Sequence, residues 1–189
     1  MQEPRPFLIG GLWWHGETVV PVNNPFTGQL LAEVSNASSA NAESAIQSTV
    51  DAAPLMGALP SHARYHLLQK IAGGLYDRRE EFARLMTAEA GKPIADAKRE
   101  VNRAVQTFTI AAEEAKRIPG EVIPLDWTPG TDSHLGILRR VPIGPVLGIT
   151  PFNFPLNLVA HKVAPALAAG NSILIKPAPQ TPLTALLLG

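Results

Sequence analysis

The pattern of apolar and polar positions is most regular near the end of the chain, where two short apolar runs enclose an amphipathic segment. The runs are Val146–Thr150 and Ile173–Ile175, both rich in β-branched side chains and followed by proline, which favours short buried strands. Between them, apolar side chains recur at helical spacing from Leu156 onward. Pro155 suits the first position of this helix, and Pro165 inside it is expected to kink it. This part of the chain is therefore predicted to form a β-α-β unit.

The connection between the two runs predicts where polar groups gather. Two strands joined by a helix imply a parallel pair with a right-handed crossover, buried on both faces. The carboxyl ends of parallel strands lie at one edge of a sheet, where open α/β folds bind their ligands. Asn153 and Lys176 each come just after a strand, so we expect both at this edge. Simpler roles stay open, because an asparagine before a helix commonly caps it and a lysine at a strand end is commonly solvated.

Familiar phosphate-binding loops are missing from the sequence. Neither G-x-G-x-x-G nor G-x-x-x-x-G-K-[ST] occurs, so the two common glycine-rich loops that hold phosphates are absent. The residues by themselves therefore indicate a partial α/β nucleotide-binding domain and no particular activity.

Helical periodicity dominates the middle of the chain. Ser38–Ala53 is predicted to form an amphipathic helix, followed by a linker over Pro54–Pro60. Ser61 is a candidate N-cap for a second helical region, which we expect to break near Asp77. A further long helix is predicted for Pro93–Arg117.

Shorter β-like runs lie on either side of the helical region. Leu12–Trp14 and Val19–Val20 are predicted to pair across a turn at His15–Glu17. The segment 121–142 has two β-like runs separated by turn residues at Thr128–Asp132, and we expect it to form a hairpin. An isolated hairpin is marginal in water and exposes strand edges unless it is paired.

Composition and charge narrow the classes of function. The 189 residues include 46% hydrophobic side chains and a formal net charge of +0, which gives no indication of nucleic-acid or membrane binding. No cysteine is present, which excludes disulfides and thiolate metal sites. The sequence has no apolar stretch of ~18 residues and no apolar signal-peptide core, so a cytoplasmic protein is expected. His62 and His66 have i, i+4 spacing, but no third ligand is evident and no metal site is predicted.

Several motifs resemble those of the aldehyde dehydrogenase superfamily, and they occur in the family's order. The run ITPFNFPLNLVAHKVAPALAAGN followed by ILIKPAPQTP is similar to the family's nicotinamide-cofactor β-α-β unit. Asn24–Gly28 resembles its N-P-x-T-G turn, and Glu89–Pro93 with Asp96–Ala97 resembles its E-x-G-K-P…D-A junction. Ala111–Glu121 resembles a further family segment. The likeness is nearest to members of the lactaldehyde dehydrogenase type, with benzaldehyde dehydrogenase types next.

The resemblance implies an α/β fold, namely a partial doubly wound, Rossmann-like cofactor-binding domain with N-terminal helices and a projecting β-hairpin. Residues 1–120 would form the N-terminal part of this domain and residues 121–142 an oligomerisation arm. Residues 143–189 would form the first β-α-β portion of the dinucleotide-binding core, with the catalytic domain absent. A homo-oligomer, either a dimer or a tetramer, is expected from the same resemblance.

The resemblance also implies roles for residues that match family positions. Asn153 corresponds to the asparagine whose side-chain amide stabilises the thiohemiacetal oxyanion, which suits a fixed donor aimed at developing negative charge. Lys176 corresponds to the lysine that contacts the adenosine ribose. The loop that lines the nicotinamide half of the site corresponds to Ile149, Thr150, Pro151 and Phe152. The turn that follows the lysine corresponds to Pro177, Ala178 and Pro179.

One departure from the family pattern leaves the cofactor open between NAD and NADP. Many NAD-preferring members have a glutamate at the position of Pro179, where it accepts hydrogen bonds from the ribose hydroxyls and repels a 2′-phosphate. Proline can do neither, so we expect NADP to be used at least comparably with NAD.

The family mechanism needs a cysteine thiolate, and this sequence contains no cysteine. The family's glutamate general base would also lie beyond Gly189. We therefore expect an N-terminal fragment of an NAD(P)-dependent aldehyde dehydrogenase, which oxidises a small aldehyde to a carboxylic acid and is not competent alone. The alternative is a non-catalytic nucleotide-binding or assembly fragment.

Overall fold

Helices supply the main hydrophobic core of the molecule, and one of them contributes a large share of it. The computed structural model describes residues 3–189. The first four helices, with the residues that join them, are called the helical layer below: α1 (Ser39–Ala58), α2 (Ser61–Asp77), α3 (Arg79–Ala90) and α4 (Ile94–Ala115). Apolar side chains of α4 at helical spacing are fully buried, among them Ala97, Val101, Ala104 and Phe108, which gives the helix one core-facing side. They share a hydrophobic core with Leu68 of α2 and with Phe82 and Met86 of α3.

The ends of these helices differ from the predicted ends in two places. The linker predicted for Pro54–Pro60 is wrong, because α1 continues through Pro54 to Ala58. A proline removes one hydrogen bond of the helix, and here it lies in the second-last turn, where the loss is small compared with the packing of the whole helix. Ser61 is not an N-cap but the first residue of α2, which has no side-chain cap. The break predicted near Asp77 is confirmed, since α2 ends there.

The N-terminal residues form two separate hairpins, so the pairing predicted across His15–Glu17 is wrong. The strands are β1 (Phe7–Ile9), β2 (Leu12–Trp14), β3 (Thr18–Asn23) and β4 (Leu30–Asn36), paired β1 with β2 and β3 with β4. Gly10 and Gly11 both have positive φ angles, 60° and 80°, and supply the tight turn of the first hairpin. Asn24 builds the second turn, because its Oδ1 accepts hydrogen bonds from the N–H groups of Phe26 and Thr27.

The hairpin predicted for 121–142 is confirmed. Strands β5 (Glu121–Pro124) and β6 (Leu135–Leu138) pair antiparallel, with Val122 opposite Ile137. Side chains on one face of a strand alternate along it, so Val122, Leu135 and Ile137 share a face. These three are 68%, 67% and 79% exposed, so this face of the ribbon is apolar and uncovered by residues 3–189.

The predicted β-α-β unit is also confirmed. Strands β7 (Val146–Ile149) and β8 (Ile173–Lys176) pair in parallel, and α5 (Asn157–Ala168) connects them. Helix α5 begins two residues after Pro155 and continues through Pro165. The sixth helix, α6 (Pro182–Leu188), follows β8. The molecule is thus an α/β fold with a Rossmann-like parallel unit beside a helical layer.

The sequence predicted that both faces of the parallel strands are buried, and for β7 this prediction is wrong. Leu147 and Ile149 are 60% and 62% exposed, whereas Gly148 between them is buried. Helix α5 covers the face of Gly148 closely, since a Cβ there would lie 3.1 Å from Cδ of Lys162 on that helix. The opposite face of β7, which carries Leu147 and Ile149, is left open by the described residues.

Candidate functional site

The two polar loops of the parallel unit begin side by side. Ile149 of β7 pairs with Lys176 of β8, and the N–H of Thr150 donates to the carbonyl oxygen of Lys176 at 3.2 Å. The loop that carries Asn153 and the loop that starts at Lys176 therefore leave the same edge of the sheet. This arrangement confirms the placement that the sequence predicted and matches the edge at which α/β folds bind ligands.

The predicted site residues divide into an exposed surface and buried supports. Ile149 and Phe152 are 62% and 55% exposed, and Asn153 and Lys176 are exposed beside them. Lys176 directs its Nζ to the neighbouring carbonyl oxygen of Pro177 at 3.3 Å, which leaves donor capacity for a ligand. The exposed set also contains Pro151 and Pro179, while Thr150 and Ala178 are buried and Pro177 is half-buried. The edge thus offers apolar surface, an amide and an ammonium group.

Asn153 does not cap the helix that follows it, so that simpler explanation of this residue is wrong. Helix α5 starts at Asn157 and receives no cap from the residue before it. Its first N–H groups are satisfied by Glu100 of α4, whose Oε1 accepts from Leu156 at 3.0 Å and from Asn157 at 2.9 Å. A carboxylate at this place also interacts favourably with the helix dipole. The side chain of Asn153 is left free for another role.

A lysine from the helical layer contacts the same loop. Lys92 forms an ion pair with Glu100 and donates to the backbone carbonyl oxygen of Asn153 at 3.0 Å. Its Nζ also lies 4.0 Å from the ring centre of Phe154. The side chains of Lys92 and Glu100 are 13% and 1% exposed, so the pair is shielded from water and its geometry is fixed by its partners.

The second loop is held by a second buried glutamate. The carboxyl oxygens of Glu89 accept from the N–H groups of Leu183 at 2.8 Å and Thr184 at 2.9 Å, and from the hydroxyl of Thr184. Burial raises the pKa of Glu89, and the hydrogen bonds from Thr184 and Leu183 offset part of that rise. Both helices that follow the edge loops therefore begin on a carboxyl group supplied by the helical layer.

The sequence pointed to some of these supports without assigning them a role. Glu89, Gly91 and Lys92 belong to the E-x-G-K-P motif, whose resemblance to the family pattern implies no role for them. Gly91 ends α3 with a φ of 66°, and a Cβ there would lie 3.0 Å from Cγ of Pro25, so glycine suits this junction. Glu100 belongs to no recognised motif. The sequence feature that could have indicated its role is its position as a charged residue on the apolar side of α4, between Ala97 and Ala104.

Across residues 3–189 there is no group of three or more His, Cys, Asp or Glu side chains placed to bind a metal ion. None of the helices in the described part of the chain combines the length and the apolarity needed to cross a membrane.

The fold is that of an α/β protein, a class in which ligands bind at the carboxyl ends of parallel strands. The sequence pattern described as "Aldehyde dehydrogenase family" matches residues 13–189. The chain therefore belongs to the aldehyde dehydrogenase family, as its motifs predicted.

Individual relatives agree along nearly the whole chain. The 3-sulfolactaldehyde dehydrogenase of Priestia megaterium is 44% identical over 180 residues, which are 95% of this chain and 37% of that protein. Aldehyde dehydrogenase 21 from Physcomitrella patens, solved with the reaction product succinate, is 44% identical with a TM-score of 0.93. It matches over 98% of this chain and 38% of its own.

An NADP complex is also among the similar structures. The NADP-dependent glyceraldehyde-3-phosphate dehydrogenase from Bacillus halodurans, complexed with NADP, has a TM-score of 0.94 at 34% identity. The match covers 99% of this chain and 40% of that one. The chain thus spans about two-fifths of the length of the relatives that it matches.

Proposed function

We propose that these residues are the N-terminal portion of an NAD(P)-dependent aldehyde dehydrogenase, which oxidises an aldehyde to a carboxylic acid. The observation that carries the proposal is the shared edge of β7 and β8, where the Asn153 loop and the Lys176 loop leave the sheet side by side. Membership of the aldehyde dehydrogenase family supports the reaction class. The longer protein that would contain this chain is called the complete enzyme below.

Asn153 is proposed as the oxyanion donor of the reaction. Its side chain is exposed at the edge and does not cap α5. Its backbone is held by Lys92. An amide fixed in this way donates a hydrogen bond to the negative charge that develops on the aldehyde oxygen during attack, and it lowers the barrier without having to reorganise.

The cofactor is proposed to be NAD or NADP, bound along the same edge. The exposed apolar surfaces of Ile149 and Phe152 suit the nicotinamide half, and the ammonium group of Lys176 suits a ribose or phosphate oxygen. Pro179 is exposed at the turn and brings no negative charge, so a 2′-phosphate would meet no repulsion there. The bound cofactor would accept the hydride that the aldehyde loses.

The covalent step is proposed to depend on a part of the complete enzyme beyond these residues. A thiohemiacetal requires a cysteine thiolate, and this chain has no cysteine. The catalytic cysteine and a glutamate general base are therefore assigned to the complete enzyme. These residues contribute the oxyanion donor and the first half of the cofactor edge.

The substrate is proposed to be a small hydroxyaldehyde of the lactaldehyde class. The motifs that resemble lactaldehyde dehydrogenases support it, and so does the likeness to a relative that acts on 3-sulfolactaldehyde.

Residues 143–189 would serve as the start of the dinucleotide-binding core and residues 1–120 as its N-terminal part. Residues 121–142 would be the arm through which subunits associate as a dimer or tetramer. A cytoplasmic location is part of the same proposal.

Aldehyde-dependent reduction of NAD and NADP tests this function. We expect the complete enzyme to form NADH or NADPH from lactaldehyde, and to form neither when the aldehyde is withheld. The 189-residue chain alone should give no turnover above background, because it supplies no thiol. The proposal is wrong if the complete enzyme leaves both cofactors oxidised with hydroxyaldehyde and aromatic aldehyde substrates. Steady turnover by the chain alone would contradict the thiolate mechanism.

A further inference from the structure

We propose that Lys92 and Glu100 are a pair of positioning residues that fix the backbone of Asn153 and so aim its side-chain amide. The inference rests on the proposed role of Asn153 as oxyanion donor. It starts from the contact between the Lys92 Nζ and the carbonyl oxygen of Asn153, 3.0 Å apart. This carbonyl and the proposed donor amide belong to the same residue. A restraint on the backbone of Asn153 therefore also restrains the position of its side-chain amide.

The pair restrains the loop at two points. Oε2 of Glu100 pairs with Lys92, which holds Asn153, and Oε1 of Glu100 accepts from the N–H groups of Leu156 and Asn157. One ion pair thus fixes the loop both at the proposed donor and at the first turn of α5. Since the Glu100 side chain is only 1% exposed, water does not replace either contact.

The residue next to the donor is held by the same lysine. The ring centre of Phe154 lies 4.0 Å from the Lys92 Nζ and 5.6 Å from Cζ of Arg103. Cations over an aromatic face are attracted by its quadrupole. Asn153 is therefore bounded by a fixed carbonyl on its own peptide and by a fixed ring on the following residue, so the direction of its Cα–Cβ bond is set by the helical layer.

Such a restraint affects catalysis more than substrate binding. A reacting group displaced by about 1 Å can cost about 10²-fold in rate, while the ground-state contacts of the substrate change little. Removing one partner of a buried ion pair also destabilises the fold, because the other charge is left without compensation. The test must therefore separate a loss of position from a loss of stability.

The experiment uses the complete enzyme with four variants: Lys92→Met, Asn153→Ala, the double variant, and Lys98→Met. We expect Lys92→Met to lower kcat by about tenfold or more, with a much smaller change in KM for the aldehyde. The double variant should lose no more than Asn153→Ala alone, because a lysine that acts through Asn153 has nothing left to position. Lys98→Met removes a lysine from α4, the helix that carries Glu100, and breaks its exposed pair with Glu80. It should leave kcat within about twofold of wild type.

Glu100→Gln provides a second variant for the case in which Lys92→Met does not fold. Glutamine keeps an oxygen for the N–H groups of α5 but loses the charge that holds Lys92, so we expect a lower kcat in a protein with near-normal circular dichroism. The inference is overturned if folded Lys92→Met or Glu100→Gln keeps the kcat of wild type while Asn153→Ala loses it. Additive losses in the double variant would overturn it too. A normal kcat in Asn153→Ala would instead remove the proposed role of Asn153, and this inference with it.

Discussion

Glu89 is a carboxyl group whose burial makes the stability of the fold depend on pH. Burial raises its pKa above the ordinary value of 4.5, although hydrogen bonds from Thr184 and Leu183 lower it in part. A raised pKa means that the folded state binds the proton more tightly than the unfolded state does. The contribution of this group is therefore fully present below the unfolded pKa and is lost as the pH rises through the folded pKa.

Glu89→Gln should remove this dependence, because glutamine carries no charge at any pH. We predict that the free energy of unfolding of wild type falls relative to that of Glu89→Gln as the pH rises from about 4 towards neutrality. Chemical unfolding of both proteins over a series of pH values measures the difference. Glu81→Gln is the control of opposite sign, since the hydrogen bond from Arg78 lowers the pKa of Glu81 and its contribution is lost as the pH falls. A wild-type-minus-Glu89→Gln difference that is flat with pH would contradict the assignment.

Pro179 is the residue that we propose to influence the preference between NAD and NADP. A glutamate there would supply an acceptor for the ribose hydroxyls and a charge that repels a 2′-phosphate. We predict that Pro179→Glu lowers kcat/KM for NADP relative to NAD by about tenfold or more, the scale of one charged interaction. Gln180→Glu, which adds the same charge at the next exposed position, should change the ratio much less. A strong NAD preference in wild type that Pro179→Glu leaves unchanged would contradict the proposed role of position 179 in cofactor preference.

At the scale of elements, local pattern predicted the structure wherever one strong signal acted alone. The spacing of Val101, Ala104 and Phe108 gave α4, and the two β-branched runs gave the parallel strands. The N-terminal strands were paired wrongly because several short runs compete there, and the turn at Gly10–Gly11 decided the partner. The sequence analysis also did not predict the exposure of Leu147 and Ile149. An apolar run has the same pattern whether one face of the strand is covered or both are.

The supports of the candidate site were beyond sequence reasoning for a different reason. Glu100 contacts residues 56 and 57 positions away, and Glu89 contacts residues 94 and 95 positions away. The local sequence pattern does not identify the hydrogen-bond partner of a charged residue across such separations. The edge itself was predictable, because the parallel crossover brings Thr150 and Lys176 together through topology alone. The roles of the residues on that edge stay predictions from resemblance.

The hairpin β5–β6 is the element that should govern assembly. Its uncovered face carries Val122, Leu135 and Ile137, and an unpaired strand edge with apolar side chains favours association. We predict that the 189-residue chain alone self-associates or precipitates, and that Val122→Thr with Ile137→Thr reduces this. Light scattering over a concentration series measures it.

The control for the arm is Ile110→Thr, which removes a 61% exposed isoleucine from α4 and should leave self-association unchanged. A monodisperse monomer that stays in solution at high concentration and unfolds cooperatively would contradict the prediction. It would indicate that the arm needs no partner.

For the whole molecule, the helical layer acts as a platform for the candidate site at the edge of β7 and β8. Two carboxyl groups from this layer, one at the end of α3 and one on α4, start the two helices that follow the edge loops. The same junction, through Lys92, reaches the loop of Asn153. The platform holds both loops before any ligand arrives, which is the arrangement that a preorganised oxyanion donor requires.

The most direct test of this account is the kcat of Asn153→Ala in the complete enzyme, measured with saturating aldehyde and cofactor. We predict a loss of about 10²-fold or more, the scale for removing one oxyanion donor, with little change in thermal stability because the side chain caps no helix. Asn102→Ala, an exposed asparagine on α4, should keep the kcat of wild type. A kcat of Asn153→Ala close to that of wild type would contradict the assignment of Asn153 as the donor, and with it the mechanism proposed for this edge.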